Sequence, residues 1–181
     1  MEKHVGSYGT TCLALYWTWQ HGPTYGHELL CGTGTVRLRH ERKIAAEVAA
    51  ATQGTALPDL EYIPAHIETV MLMLPNSSIV ESVLRKKPGL FNQLAAGSLI
   101  IDMSSSEPES TVALAGEAAE LGIDYVDAPV SGGVAKAETG KLTIMAGGDS
   151  AAVERAKRHL RHVGEAITHV GRPEPVTRQR R

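Results

Sequence analysis

Ser98-Leu99-Ile100-Ile101-Asp102-Met103, followed two residues later by Ser106-Glu107-Pro108-Glu109, joins a buried strand to the start of a helix. Consecutive apolar positions leave a strand here with no solvent face. Ser106 offers an N-cap, Pro108 suits the first helical turn, and Glu109 stands three residues after the cap. Val112, Ala115, Ala119 and Leu121 then share one helical face, and Gly122 stands where a helix stops.

The same alternation repeats on both sides. Upstream, Ile44–Ala51 has helical spacing, Thr69–Leu74 is a short apolar run ending at Pro75, and Ser77–Leu84 suits a short helix. Downstream, Tyr125–Val130, Leu142–Ala146 and Ala166–Val170 have the character of strands. Asp149 can cap a helix over Ala152–Val163, whose Val153, Ala156, Leu160 and Val163 form an apolar stripe. Apolar strands separated by helices imply an α/β fold with a mainly parallel sheet and helices on both faces. Such sheets bind ligands beyond the carboxyl ends of their strands.

Composition fits this picture. The 181 residues are 43% hydrophobic and 21% charged, enough apolar content for one core. The apolar runs are too short to cross a bilayer, and Met1-Glu2-Lys3-His4 leads into no clean signal core, so a cytoplasmic chain without a membrane partner is expected. Cys12 and Cys31 cannot make a disulfide framework or a four-ligand zinc site. A net charge of −2 argues against a nucleic-acid partner, although Arg172, Arg178, Arg180 and Arg181 face only Glu174 in the final residues. Residues 1–40 hold both Trp and both Cys and show no sustained period, whereas 44–170 are cleanly periodic.

The stretch richest in chemistry is Asp127-Ala128-Pro129-Val130-Ser131-Gly132-Gly133, followed by Ala137, Gly140, Leu142 and Met145-Ala146-Gly147-Gly148. A hydroxyl beside consecutive glycines lets a small anion approach backbone N–H groups. A lone Ser-Gly-Gly is more often a tight turn; the full spacing gives this one weight. It resembles the substrate signature of the β-hydroxyacid dehydrogenases. That family includes 3-hydroxyisobutyrate dehydrogenase and tartronate semialdehyde reductase, and it shares the NADP-binding domain of 6-phosphogluconate dehydrogenase. Met73-Leu74-Pro75-Asn76 and Leu99-Ile100-Ile101-Asp102-Met103-Ser104-Ser105 resemble two of its cofactor loops, and the resemblance covers about residues 44–170.

The resemblance implies a Rossmann-type domain that binds NADP or NAD and a small 3-hydroxy acid. Ser131, Gly132 and Gly133 would hold the substrate carboxylate. Leu74, Pro75 and Asn76 would lie at the adenosine side of the cofactor, and Ser105 near the nicotinamide ribose. Arg39 sits near the place of an Arg for the 2′-phosphate, but Leu38 stands where the family has Asn, and a solvated Arg is as good a reading.

Two family elements are missing from the matched pattern. No Gly-x-Gly-x-x-Gly follows a strand in residues 1–35, with Gly32-Thr33-Gly34 the nearest relic. No Gly-rich segment with the family's catalytic Lys follows Val170, so no catalytic residue is expected among these positions, and the helical domain that comes after that Lys is expected to be absent. The genetic code offers a reason. Leu15 to Gly26, back-translated and begun one base later, permits Phe-Ile-Gly-Leu-Gly-Asn-Met-Gly-x-Pro-Met-Ala, in which both Trp codons become Gly. Gly171 to Arg181, begun two bases later, permits Pro-Pro-Gly-Ala-Gly-His-Ala-Ala-Lys-Ala. The expected organisation is a degenerate or out-of-frame first βα remnant over 1–40, a nucleotide-binding domain over 41–170, and an irregular basic tail over 171–181. Such a chain would be a truncated, catalytically incompetent fragment. The alternative is a non-catalytic binding module or pseudoenzyme that keeps the anion site at Ser131–Gly133.

Other candidates have plainer readings. Lys136 and Lys141 are expected to be solvated rather than substitutes for the missing base. Asp102 and Asp127 end strands, where pairing with nearby backbone N–H groups is a structural role. His159, His162 and His169 show no metal-ligand spacing, and no metal is expected.

Overall fold

The computed structural model describes residues 11–16, 35–38, 55–57, 60–61 and 63–171. Among the described residues nine strands form one sheet. They are β1 (Thr11–Tyr16), β2 (Thr35–Leu38), β3 (Thr55–Ala56), β4 (Ile67–Met73), β5 (Leu99–Asp102), β6 (Asp124–Asp127), β7 (Val130–Ser131), β8 (Leu142–Gly147) and β9 (Gly164–Gly171). Four described helices join them: α1 (Ser77–Arg85), α2 (Pro108–Glu120), α3 (Gly133–Glu138) and α4 (Ser150–Leu160), with a 3₁₀ turn at Leu90–Asn92. The sequence-predicted helix at Ile44–Ala51 and the residue Arg39 lie outside the described residues.

The strand order is β3-β2-β1-β4-β5-β6, all parallel, and then β8, which runs antiparallel to β6 through Asp127 opposite Gly147. β7 pairs β8 antiparallel and β9 pairs it parallel. The chain moves one way from β1 to β3 and the other way from β4 to β6, so the order reverses between β1 and β4. Ligand crevices of open α/β sheets form at such a reversal, at the carboxyl ends of the strands.

The core explains why these strands are apolar throughout. Val70, Leu72, Ile100 and Tyr125 pack on one face against Val80, Val83 and Leu84 of α1 and Leu114 and Ala118 of α2. Met71, Leu99, Ile101 and Val126 pack on the other face against Val153, Ala156 and Leu160 of α4. Neighbouring residues of a strand point to opposite faces, so a strand covered twice needs apolar residues at odd and even positions alike.

Local signals set the element ends. Asn76 caps α1, its Oδ1 accepting the Ile79 N–H at 3.1 Å. Pro108 opens α2, where a missing N–H costs nothing. At the other end Gly122 has φ +70°, and the N–H groups of Gly122 and Ile123 donate to the carbonyls of Ala119 and Ala118. That is a left-handed glycine stop. Several expectations need correction. Ser106 does not cap α2: Glu107 holds the N-cap position without a side-chain cap, and Ser106 Oγ faces Asp102 Oδ2 at 3.5 Å. Tyr125–Val130 is not one strand, because Ala128-Pro129 separates β6 from β7, and Pro129 has no N–H to continue a ladder. The helix expected over Ala152–Val163 begins and ends earlier, at Ser150 and Leu160.

Two strands arise where the sequence shows no period. β1 lies between β2 and β4, with Cys12 to Tyr16 in continuous parallel register with Thr69 to Met73. The parallel sheet therefore draws on residues within 1–40. Among the described residues, no helix is long and apolar enough to cross a membrane.

Candidate functional site

Three adjacent parallel strands, β4, β5 and β6, deliver the candidate residues to one end of the sheet. β4 ends at Met73 and passes into Leu74-Pro75-Asn76; Leu74 is buried, and Pro75 and Asn76 are exposed. β5 ends at Asp102 and passes into Met103, Ser104 and the exposed Ser105. β6 ends at Asp127 and leads through Ala128 and Pro129 to Ser131-Gly132-Gly133 at the start of α3, all three exposed. Strands neighbouring in a sheet lie about 4.8 Å apart, so the three loops share one rim beside the reversal between β1 and β4.

The floor beneath these loops is polar and closed. Asp102 is fully buried. Its Oδ1 accepts the Ser104 N–H at 2.9 Å and its Oδ2 accepts the Tyr125 hydroxyl at 2.7 Å. Ser104 is buried as well, and its Oγ accepts the Leu74 N–H at 2.9 Å. Backbone bonds complete the join: Met103 N–H donates to Leu72 O at 2.8 Å, and Ala128 N–H to Asp102 O at 2.7 Å. A buried carboxylate is tolerated when its oxygens are paired in this way. The sequence reading assigned Asp102 to local backbone N–H pairing, which the Ser104 bond bears out. It missed Tyr125. The register sets Ile100 opposite Tyr125 and Asp102 opposite Asp127, so the long phenol reaches the diagonal neighbour.

This arrangement shifts two acids. Burial, and then the charge of Asp102, push the half-buried Asp127 carboxyl up to about 7. Burial followed by the same charge drives the Tyr125 phenol well above its ordinary value, keeping it a hydrogen-bond donor.

The Ser131–Gly133 turn is different in kind. Gly132 has φ +140° and Gly133 φ +65°, both in the region that favours glycine. A Cβ on Gly132 would come within 2.7 Å of Lys136 Cδ and 2.9 Å of its Cβ, whereas one on Gly133 would meet nothing within 4 Å. Lys136 is exposed on α3 and Lys141 is exposed before β8, as expected of solvated lysines. Among the described residues no three His, Cys, Asp or Glu side chains gather as metal ligands.

A reversal of strand order with hydroxyl, amide and glycine groups on its rim defines a doubly wound dinucleotide-binding domain. Residues 29–171 match the family model described as the NAD binding domain of 6-phosphogluconate dehydrogenase. The chain belongs to the β-hydroxyacid dehydrogenase family, whose cofactor is NAD or NADP. Its relatives include 2-(hydroxymethyl)glutarate dehydrogenase of Eubacterium barkeri, 44% identical over 131 residues, or 72% of this chain and 43% of that protein. 2-Hydroxy-3-oxopropionate reductase of Escherichia coli is 40% identical over 127 residues, or 70% and 40%. Among solved structures, 3-hydroxyisobutyrate dehydrogenase of Mycobacterium tuberculosis, determined with L-serine, is 26% identical with a TM-score of 0.76, covering 91% of this chain and 55% of that one. The chain thus spans about two fifths of the length of these curated relatives and just over half of that solved chain.

Proposed function

We propose that this chain is the nucleotide-binding part of an NAD(P)-dependent 3-hydroxyacid dehydrogenase, with a displaced reading frame at each end of the matched region. The observation that carries the proposal is the convergence of the β4, β5 and β6 loops on one rim beside the strand-order reversal. On this reading Leu74, Pro75 and Asn76 flank the adenosine end of the cofactor and Ser105 lies near the nicotinamide ribose. Ser131, Gly132 and Gly133 hold the carboxylate of a small 3-hydroxy acid. The nicotinamide would supply hydride chemistry when bound. The residues on the rim fit such a ligand: Ser105, Ser131 and the two glycines are exposed, while the buried polar groups beneath them are already paired.

The frame proposal has support from position. β1 ends at Tyr16, so Trp17-Thr18-Trp19 stands in sequence where a first strand–helix turn must receive the pyrophosphate. Gly-Leu-Gly one base over falls on those same codons. The family match begins at residue 29, after Trp17–Trp19 although within the 1–40 remnant, and stops at 171, where the second alternative frame begins. As translated, Trp17 and Trp19 stand in sequence where glycines would allow the close backbone approach that a pyrophosphate needs, and residues 171–181 carry no Lys to exchange the hydroxyl proton. The polypeptide is therefore expected to bind NADPH weakly and to turn over no hydroxy acid.

The test is the nucleotide sequence of the gene from upstream of codon 10 to about 400 bases beyond codon 181. Met, Gly and Pro codons one base over at His21, Gly22 and Thr24, with a Gly-rich Lys segment two bases over after Gly171, support the proposal. Stop codons in those frames, or codons that lack Met, Gly and Lys there, contradict it. In that case the chain is better read as a binding module that keeps the exposed Ser131–Gly133 turn.

A further inference from the structure

One buried carboxylate touches the supports of all three rim loops. Asp102 fixes the Met103–Ser105 turn by accepting the Ser104 N–H. Ser104 in turn holds the Leu74 N–H, the first residue of the β4 loop. On the other side Asp102 Oδ2 takes the Tyr125 hydroxyl of β6, while its own carbonyl takes the Ala128 N–H at the root of the Ser131 loop. Asp102 is 0% exposed and Tyr125 6% exposed, so neither side chain can serve as a first contact for a ligand on the rim.

We infer that Tyr125, Asp102 and Ser104 form a positioning relay that sets the spacing of the β4, β5 and β6 loops around the ligand crevice. The relay has a direction. Tyr125 orients the carboxylate, the carboxylate orients the Ser104 amide, and Ser104 Oγ fixes Leu74. Satisfied buried networks of this kind hold one arrangement because any other leaves a polar group unpaired. The inference deepens the dinucleotide reading and rests on it for what the loops hold; the hydrogen bonds themselves do not depend on it.

The test uses the full 181-residue chain and reads backbone amide hydrogen exchange and NADPH binding together, by two-dimensional NMR. Ser104→Ala should speed exchange of the Leu74 amide at least tenfold relative to Val70, which lies in the same strand. Tyr125→Phe, a milder change that removes one hydroxyl, should speed exchange of the Ser104 amide several-fold relative to Ile101. Tyr125→Phe should also weaken NADPH binding several-fold, although the phenol cannot reach the nucleotide. Exchange at Leu74 and Ser104 that follows Val70 and Ile101 in both variants would overturn the relay. So would NADPH affinity unchanged by Tyr125→Phe while exchange rises, since the network would then be structural only. No response to millimolar NADPH even after Leu15–Gly26 is replaced by Phe-Ile-Gly-Leu-Gly-Asn-Met-Gly-Gln-Pro-Met-Ala would overturn the dinucleotide reading instead, and the exchange rates would still decide whether the hydrogen-bond chain exists.

Discussion

The Asp102 floor and the Ser131–Gly133 turn belong to the same rim and are built in opposite ways. The floor consists of buried side chains with their hydrogen bonds closed, tying together strands 23 to 30 residues apart in sequence. The turn consists of exposed backbone whose shape depends on two glycines. The difference teaches where recognition and support are divided. Groups that could meet a ligand stay open, and the groups that hold them are consumed by the fold. Substitutions should follow that division: floor changes act on stability and on the loops together, whereas turn changes act locally.

The largest effect is expected from Asp102→Ala, which strands the Ser104 N–H and the Tyr125 hydroxyl in the interior. A cost of about 2–5 kcal/mol in denaturant unfolding is expected. A loss of about 1 kcal/mol or less would put the floor no higher than the exposed turn and break the comparison. Gly132→Ala comes next, at about 1–3 kcal/mol, since it combines φ +140° with a clash against Lys136. Gly133→Ala, with φ +65° and open space, should cost about 1 kcal/mol. Equal losses at both glycines would show that the Lys136 contact carries no weight.

Asp127 sharpens the comparison through pH. Its folded carboxyl titrates at about 7 against an ordinary value of 3.8. Below 3.8 both states are protonated and there is no penalty. Between 3.8 and 7 the unfolded chain releases a proton that the folded chain keeps, so stability falls as pH rises through that window and is level above it. Because the group is partly exposed, screening reduces the expected loss to about 1–2 kcal/mol. Unfolding midpoints from pH 4 to 8 should show this slope, and Asp127→Asn should flatten it; an unchanged slope in that variant assigns the effect elsewhere. The smallest effect is expected on the outer surface. Arg85 bridges Glu117 of α2 at 2.5 Å and Glu81 at 2.7 Å, yet all three are substantially exposed, so Arg85→Ala should cost at most about 1 kcal/mol and less in high salt.

The central strands were legible in the sequence because burial on both faces writes itself as an unbroken apolar run. Thr69–Leu74 and Ser98–Met103 were placed within two residues of β4 and β5 for that reason. The signals at Asn76, Pro108 and Gly122 are local backbone chemistry and were equally readable, although Asn76 as a cap was not singled out. The missed features depend on the third dimension. β1 and β2 have no periodic pattern of their own and take their place by pairing with β4 and β3. Ser106 is a good cap by residue type, but a buried carboxylate lies across the turn and faces its hydroxyl. The bond from Tyr125 to Asp102 joins residues whose nearness follows only from the parallel register. The rim residues Leu74, Pro75, Asn76, Ser105, Ser131, Gly132 and Gly133 were named from motif resemblance, and the strand ends account for their common location.

The most direct test of the account is an NADPH titration followed by amide chemical shifts in two chains. One is the chain as translated. The other has Leu15–Gly26 replaced by Phe-Ile-Gly-Leu-Gly-Asn-Met-Gly-Gln-Pro-Met-Ala, with glutamine placed at the variable position. The account predicts shifts at Leu74, Asn76, Ser104–Ser105 and Gly132–Gly133 in both, saturating at least tenfold earlier in the second chain. Shifts that gather on the outer face of α4, or an affinity that the replacement leaves unchanged, would contradict it.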